Sequence, residues 1–212
     1  MPNWCNNHIT ITGPNKIIDR IEKITKEEDS KDGLLQFMMP MPKELKDTTA
    51  DGTERKDLLE KYGHSDWYGW ATDNWGTKWE VCEFYGVDRQ HLNDSLDEST
   101  ISLSFDSAWS PPIGAYENFL AENENCSLVG RYYEGGCDFM GIWDNGDDRC
   151  YQPSNYKSDD TFFDSGDGKE IDDYFGITES MAEWEAEQES EAEQKVRELV
   201  VEKKAVNIGE DA

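Results

Sequence analysis

Two segments of the chain alternate between apolar and polar side chains, and this pattern limits the fold more than any other feature of the sequence. In residues 100–106, Ile101, Leu103 and Phe105 lie on one side of an extended backbone, and polar residues lie on the other. Residues 4–12 show the same period. Alternation of this kind predicts strands with one buried face, as in an antiparallel sheet.

A helix is predicted after each of these strands. Pro14 suits the first turn of the earlier helix, where its missing N–H costs no hydrogen bond. The apolar stripe of that helix consists of Ile17, Ile18, Ile21 and Ile24. Ser110 is predicted to be the N-cap of the later helix. The buried side of the later helix consists of Ile113, Tyr116, Phe119 and Leu120.

Further strands are predicted from runs of aromatic and β-branched residues. They are residues 34–37, 79–87, 127–134 and 137–143. A pair of glycines suits a tight hairpin between the last two, and residues 89–98 are predicted to be a polar connector. In chain order, these elements predict an α+β fold: a ferredoxin-like sandwich with the order β-α-β-β-α-β and one extra hairpin strand.

The predicted domain covers residues 1–143. Within it, residues 38–78 are predicted to be an aromatic-rich insertion that contains a helix at residues 54–62. The composition changes afterwards, because residues 144–176 are rich in Asp, Ser, Gly and Asn. That acidic region is predicted to form an irregular hairpin or a mobile loop.

The carboxyl-terminal part is predicted to be helical. Residues 177–206 form an amphipathic acidic pattern, and Ser180 with Glu183 makes a capping box near its start. Both ends of this helix are expected to dock on something. Residues 207–212 are predicted to be a frayed tail.

The charge balance restricts the partners of the protein. It has 47 acidic and 20 basic residues, for a net charge of -27. Such a surface repels nucleic acid phosphates and anionic membranes, and it suits a partner with a basic surface. Residues 1–4 have no basic or apolar leader character, which predicts no signal peptide and a cytoplasmic location.

The sequence predicts neither a metal site nor a cofactor. The five cysteines are an odd number without a C-x-x-C pair, and they are interpreted as buried reduced thiols. Residues 144–148 and 164–168 resemble fragments of calcium loops, but neither completes the twelve-residue pattern with a Glu at its end. Both are interpreted as solvated loops.

The stretch from Trp67 to Trp79 contains four of the eight tryptophans. The candidate binding residues in and near it are Asn74, Trp75, Thr77, Lys78, Trp79 and Trp109. Rings beside a cation and an amide are suited to hold a nucleotide or an aromatic side chain of a peptide. The alternative is that the rings anchor the insertion on the sheet while Lys78 extends to solvent.

The outward face of the predicted sheet is a second candidate. It carries Asn6, His8, Thr10, Ser102 and Ser104. Several ferredoxin-like modules bind RNA on such a face, but this one has little positive charge, which argues against RNA. His8 is interpreted as a structural hydrogen-bonding residue, and the catalytic residues, if there are any, are unknown.

The acidic helix is a third candidate. Its carboxylates are Glu179, Glu183, Glu185, Glu187, Glu189, Glu191 and Glu193. Rows of carboxylates on a rigid helix can imitate DNA phosphates and occupy a basic cleft. The alternative is a helix that only keeps the protein in solution.

Several short motifs occur in the order seen in one family. They are Pro2-Asn3-Trp4-Cys5-x-Asn7, Pro40-x-Pro42, Asn74-Trp75-Gly76-Thr77-Lys78-Trp79, Ser107-Ala108-Trp109-Ser110-Pro111-Pro112, Tyr133-Glu134 and Asp138-Phe139-x-Gly141. In this ordered set the chain resembles the YubB-like proteins of bacteriophages and conjugative plasmids. The resemblance implies a ferredoxin-like domain and an accessory role in a mobile element, and it brings no catalytic residues with it.

These features lead to one expected function and one alternative. The protein is expected to be a non-enzymatic module that binds a host or defence protein with a basic surface, with acidic mimicry of DNA as one mode. The alternative is a small-ligand or nucleotide-binding protein, or an enzyme, that uses a Trp-lined pocket. Neither nucleic acid nor a membrane is an expected partner.

Overall fold

The structure is a computed structural model. It describes residues 3–26, 33–81, 83–93 and 97–210, with side chains as far as residue 198. The chain divides into two compact units, Met1–Pro153 and Ser154–Ala212. Cys82 and the predicted end of the first helix near residue 29 lie outside the described residues.

A six-stranded antiparallel sheet forms the centre of the described part of the first unit. Its strands are β1 (Trp4–Pro14), β2 (Phe84–Asn93), β3 (Glu98–Ala108), β4 (Ser127–Glu134), β5 (Phe139–Asp144) and β6 (Asp147–Tyr151). Their order across the sheet is β2-β3-β1-β4-β5-β6. With the helices described below, this sheet confirms the predicted α+β class.

Along the chain, the helices of the first unit lie between these strands. They are α1 (Asn15–Lys26), α2 (Leu34–Met38), α3 (Lys43–Lys46), α4 (Lys56–Tyr62), α5 (Trp67–Asn74) and α6 (Ile113–Glu122). The four short helices α2 to α5 separate α1 from β2, in the region of the predicted insertion. The helix predicted at residues 54–62 is confirmed as α4.

The core lies on one face of the sheet, as the alternation predicts. Burial alternates along β1 and β3, so Ile9 and Leu103 are fully buried while their neighbours are partly exposed. The isoleucine stripe of α1 and the aromatic residues of α6 belong to the same core, through Ile21 and Phe119. The sheet and these two helices therefore bury a common apolar surface.

Two of the predicted strand assignments are wrong. Residues 34–37 form α2, because the carboxylate of Glu80 accepts hydrogen bonds from the N–H groups of Leu35 and Gln36 at 2.7 Å each. The strand predicted at residues 79–87 begins only at Phe84 and continues through the first half of the predicted connector, as far as Asn93. It is an edge strand of the sheet, where polar side chains face solvent. The alternation of apolar and polar residues that identifies a half-buried strand is therefore hard to recognise in its sequence.

The predicted N-caps of two helices are also wrong. Ser110 donates its Oγ–H to the carbonyl oxygen of Gly76, and the N-cap of α6 is Pro112 without a side-chain hydrogen bond. In the second unit, the helix begins at Ile177, the first residue of the predicted range 177–206, but the predicted capping box is not at its start. There Ser180 donates to the carbonyl oxygen of Gly176 at 3.2 Å instead of capping the helix.

The acidic region holds more regular structure than an irregular loop. It contains β6 and the helix α7 (Gly166–Phe175), whose Ile171 is fully buried. The helix α8 (Ile177–Glu210) follows directly and includes part of the predicted frayed tail. The last two residues lie outside the described part.

The long helix α8 is anchored near its beginning. Ile177 is fully buried, whereas Trp184 is 62% exposed and Val196 is 59% exposed. The side chains of Leu199 and Val200, further along the helix, lie outside the described set. Within the described residues, no helix combines the length and apolar character needed to cross a membrane.

Candidate binding site around Trp79

The segment after α5 is attached to the loop after β3 by buried polar contacts. Thr77 is 1% exposed and donates its Oγ1–H to the carbonyl oxygen of Ala108 at 2.8 Å. The two segments also approach closely at Gly114, where an added Cβ would lie 2.0 Å from the carbonyl oxygen of Asn74. Only glycine allows that approach.

Asn74 and Trp75, like Thr77, direct their polar atoms to the protein's own main chain. Trp75 is 5% exposed, and its indole N–H donates to the carbonyl oxygen of Met39 at 2.8 Å. The amide of Asn74 donates to the carbonyl oxygen of Trp70 at 2.9 Å. Thr77 therefore joins the insertion to β3, Trp75 joins two parts of the insertion, and Asn74 bonds within α5, so the polar groups of all three are already engaged.

Lys78 lies among aromatic rings instead of extending away from them. Its Nζ is 4.3 Å from the ring centroid of Trp79, 5.3 Å from that of Trp109 and 5.4 Å from that of Tyr68. An ammonium over the faces of aromatic rings is attracted by their negative quadrupole. The arrangement is therefore a cation cage that the chain's own lysine occupies.

Trp109 reaches this cage from a strained backbone. Its φ is 72°, in the left-handed region that bulky residues rarely adopt. The N–H of Trp109 donates to the carbonyl oxygen of Asn3 at 2.9 Å, which helps to hold the conformation. The ring is 41% exposed, so the strain places an aromatic surface beside Lys78 instead of in the core.

Trp79 also borders two cavities. One, of about 350 Å³, is lined by Gly33, Gln36, Met41, Lys46, Trp67, Trp75, Lys78, Trp79 and Glu80. The other, of about 400 Å³, is lined by Trp4, Trp79, Glu80, Glu83, Tyr85, Asp106 and Ala108. We call them the lysine-side cavity and the acidic-side cavity. Of the six candidate residues, three line a cavity, while Asn74, Thr77 and Trp109 do not.

Glu80 borders both cavities but has a structural task. Its carboxylate accepts hydrogen bonds from three backbone N–H groups, those of Leu35, Gln36 and Val81. Burial raises the pKa of this carboxyl, and the three donors oppose the rise. Glu80 therefore fixes the start of α2 against the segment after Trp79.

The outward face of the sheet is a network of hydroxyl and amide groups. His8 Nδ1 lies 2.9 Å from Ser104 Oγ, and Thr10 Oγ1 lies 3.3 Å from Ser102 Oγ. Burial lowers the pKa of His8 to about 4, and the charge of Arg131 adds to the shift. His8 is thus a neutral, hydrogen-bonded residue at pH 7, which agrees with the structural interpretation.

The candidate glutamates of α8 differ in their surroundings. Glu185 accepts hydrogen bonds from Ser158, including one from its Oγ at 2.6 Å. Glu191 and Glu193 pair with the basic residues four positions later. The other four, Glu179, Glu183, Glu187 and Glu189, are exposed.

The cysteines are only partly as predicted. Cys5 is buried and Cys126 is half-buried, but Cys137 and Cys150 are exposed, since Cys137 lies in the turn between β4 and β5 and Cys150 lies in the edge strand β6. In the part of the chain that the structure describes, no three His, Cys, Asp or Glu side chains are grouped to hold a metal ion.

The sequence did not identify several residues around Trp79. Tyr68 lies in the same tryptophan-rich stretch, and Glu83 and Tyr85 lie just after it, but no pattern marked these three residues, and only the folded chain shows their place around Trp79. For Trp4 and Asp106 a signal was present, since alternation places both on the outward face of neighbouring strands. The antiparallel register, which pairs Asn6 with Asp106, was needed to place them near each other.

Comparison with known proteins gave one structural neighbour to report. No family model and no curated protein sequence matches the chain. A solved structure described as a protein api92 from Yersinia pseudotuberculosis, of the family DUF1281, is similar at 11% sequence identity with a TM-score of 0.39. The similarity covers 72% of this chain and 98% of that one.

Proposed function

We propose that the protein is a non-enzymatic accessory protein of a phage or plasmid that binds a host or defence protein by presenting carboxylates in place of DNA phosphates. The observation that carries the proposal is the row of exposed glutamates on α8. The resemblance of residues 1–143 to YubB-like proteins supplies the mobile-element context, and the cytoplasm of the host cell is the proposed location.

The geometry of α8 supports mimicry. Glu179, Glu183 and Glu187 are exposed and recur every four residues, so they form one row with a rise of about 6 Å per step. Glu185 and Glu189 belong to a second row on another side of the helix. Together the carboxylates of residues 179–193 give about one charge per 3 Å of helix axis, close to the spacing of about 3.4 Å per phosphate of one DNA strand.

We further infer that the first unit is a ferredoxin-like sandwich with two added strands. Strands β2, β3, β1 and β4 are neighbours in that order, which is the arrangement expected when β-α-β-β-α-β closes into one antiparallel sheet. The helices α1 and α6 contribute to one core, which supports their placement on the same face. The insertion α2 to α5 and the hairpin β5–β6 are the additions.

The experiment is affinity capture from a lysate of the host bacterium with the full chain as bait, first at low salt. We expect a DNA-binding protein that elutes with duplex DNA, since both ligands would occupy the same basic cleft. Moderate salt should also release the captured protein, because salt screens the attraction between opposite charges. A captured protein that duplex DNA does not displace would contradict mimicry.

A matched pair of variants locates the contact. Glu179→Gln, Glu183→Gln and Glu187→Gln together remove three charges from the α8 row and should abolish capture. The control removes three exposed charges from the first unit, by Glu60→Gln, Glu117→Gln and Glu122→Gln. Equal loss in both variants would show that only net charge matters.

The second candidate function is binding of a small anionic ligand in the lysine-side cavity. Its observation is that Lys46 and Lys78 line a cavity of about 350 Å³ beside the rings of Trp67 and Trp79, a size in the range of small-molecule sites. A thermal-shift screen with nucleotides tests it. Stabilisation by a nucleotide that Lys46→Met removes would favour this function, and no shift with any nucleotide would count against it.

A further inference from the structure

The acidic-side cavity has the chemistry of a site for a positively charged side chain. Two tryptophans form part of its wall, and the ring centroids of Trp4 and Trp79 are 6.2 Å apart at an interplanar angle of 41°. Tyr85 adds a third ring. Trp4 is 50% exposed and Tyr85 is 61% exposed, so the aromatic surface is open to a partner.

Carboxylates stand beside these rings. The Oδ1 atom of Asp106 accepts hydrogen bonds from the amide of Asn6 at 2.7 Å and from the hydroxyl of Tyr85 at 3.1 Å. Both donors hold Oδ1, and among the described residues no hydrogen bond to Oδ2 is found, so that oxygen can accept from a further donor. Glu83 is exposed and lines the same cavity. Glu80 is held by the backbone of α2 and is therefore not counted as a ligand group.

No lysine or arginine is among the described residues that line this cavity. Lys78 lines the lysine-side cavity instead, with its Nζ 4.3 Å from the ring centroid of Trp79. The two cavities share Trp79 and differ in the charge of the other residues that line them. The acidic-side cavity has aromatic rings and carboxylates, but none of its described lining residues supplies a cation to pair with them.

We propose that the acidic-side cavity, formed by Trp4, Trp79, Tyr85, Asp106 and Glu83, binds the guanidinium group of an arginine on a basic segment of the partner protein. A guanidinium is planar, so it stacks on an indole and donates to a carboxylate in the same plane. An ammonium also donates to a carboxylate, but it has no planar face to stack on an indole at the same time. The proposal rests on the proposed function and names the chemistry of one anchor point within it.

The experiment is a titration of the full chain with a blocked Gly-Arg-Gly peptide, followed by the NMR signals of the tryptophan indole N–H groups. We expect the signals of Trp4 and Trp79 to move and that of the buried Trp143 to stay. The same peptide with citrulline in place of arginine is the matched control, because citrulline has nearly the same shape and no charge.

Variants test each part of the site. Asp106→Asn keeps an acceptor for Asn6 and Tyr85 but removes the charge, and Trp4→Ala removes one ring. Each substitution should weaken the binding of the arginine peptide by about tenfold. Glu117→Gln removes an exposed charge away from the cavity and should leave the affinity unchanged. Because Asp106→Asn changes few atoms, it tests the site even if Trp4→Ala fails to fold.

Three results would overturn the proposal. The first is an equal response to the citrulline peptide, since the cation would then be irrelevant. The second is an equal or stronger response to a Gly-Lys-Gly peptide, which would exclude a guanidinium preference. The third is unchanged binding in both Asp106→Asn and Trp4→Ala.

The two proposals fail separately. If Asp106→Asn still captures the host protein at full strength and the α8 variant does not, the arginine site is wrong and the proposed function stands. If the arginine peptide binds as expected but no host protein is displaced by DNA, the cavity is a cation site and DNA mimicry is wrong.

Discussion

At the scale of single residues, two buried donors hold the tryptophan-rich stretch in place. Thr77 donates to the main-chain oxygen of Ala108 at the end of β3, and Trp75 donates to that of Met39 within the insertion, each at 2.8 Å. A buried acceptor that loses its donor is costly, because no water replaces the hydrogen bond. The polar atoms of Trp75 and Thr77 therefore serve the protein's own structure, while the side chains of Trp75, Lys78 and Trp79 line the cavities.

Thr77→Val tests this attachment. Valine has the shape of threonine without the hydroxyl, so the carbonyl oxygen of Ala108 loses a donor. We expect a loss of about 1–2 kcal/mol in the free energy of unfolding, measured by urea denaturation. Thr77→Ser retains the hydroxyl and should lose less. Equal stability of Thr77→Val and the wild type would contradict the role.

His8 provides a pH-dependent prediction. Its pKa is about 4 in the folded protein, and the ordinary value near 6.5 applies to the unfolded chain. As the pH falls below 6.5, the unfolded chain binds a proton first, so the stability present above that pH is lost toward pH 4. His8→Gln cannot titrate. Between about pH 7 and pH 5, the free energy of unfolding of the variant should fall by about 1 kcal/mol less than that of the wild type, allowing for screening by solvent. Urea unfolding at both pH values measures the difference. An identical loss would refute it.

At the scale of elements, side chains from outside a helix decide where it begins. Glu80 holds the start of α2 from a segment that is distant in sequence. Asp172, in α7, accepts hydrogen bonds from the N–H and the hydroxyl of Thr178, each at 2.7 Å. At the first position the sequence predicted a strand, and at the second it predicted a capping box, because local patterns consider only neighbours within a few residues.

Asp172→Ala tests the start of α8. Removing the acceptor leaves the N–H of Thr178 without its side-chain partner, and we expect a loss of about 1 kcal/mol at this helix end. Hydrogen exchange in the first turn should then be about fivefold faster. Asp173→Ala is the control, because Asp173 pairs only with Lys169 on the surface. Similar exchange in both variants would contradict a specific cap.

At the scale of the whole molecule, the net charge of -27 dominates. Repulsion among the carboxylates opposes the compact state, and added salt screens it. We expect the unfolding temperature to rise by about 3 °C between about 10 mM and about 150 mM sodium chloride, over which the Debye length falls from about 30 Å to about 8 Å. Calorimetry measures the change. A constant or falling temperature would show that the charges are spaced too widely to repel.

The elements with a buried face were predictable, and the others were not. Strands β1, β3 and β4 and helix α6 were predicted within a few residues, since each buries one side and shows its period. Helices α2 and α7 were missed, because they are short or polar and depend on distant partners such as Glu80. The same division applies to the site, where Lys78 and Trp79 were found and Tyr68 was not.

By itself, the sequence determined the α+β class, the core face of the sheet and the position of the insertion, because periodic burial is a local property of the chain. Only the tertiary structure decided what the tryptophan-rich stretch does. The register of β1, β2 and β3 brings Trp4, Tyr85 and Asp106 together with Trp79 in the acidic-side cavity, and the turn after α5 places Lys78 in the lysine-side cavity. Such a site depends on contacts between distant segments, which no local pattern records.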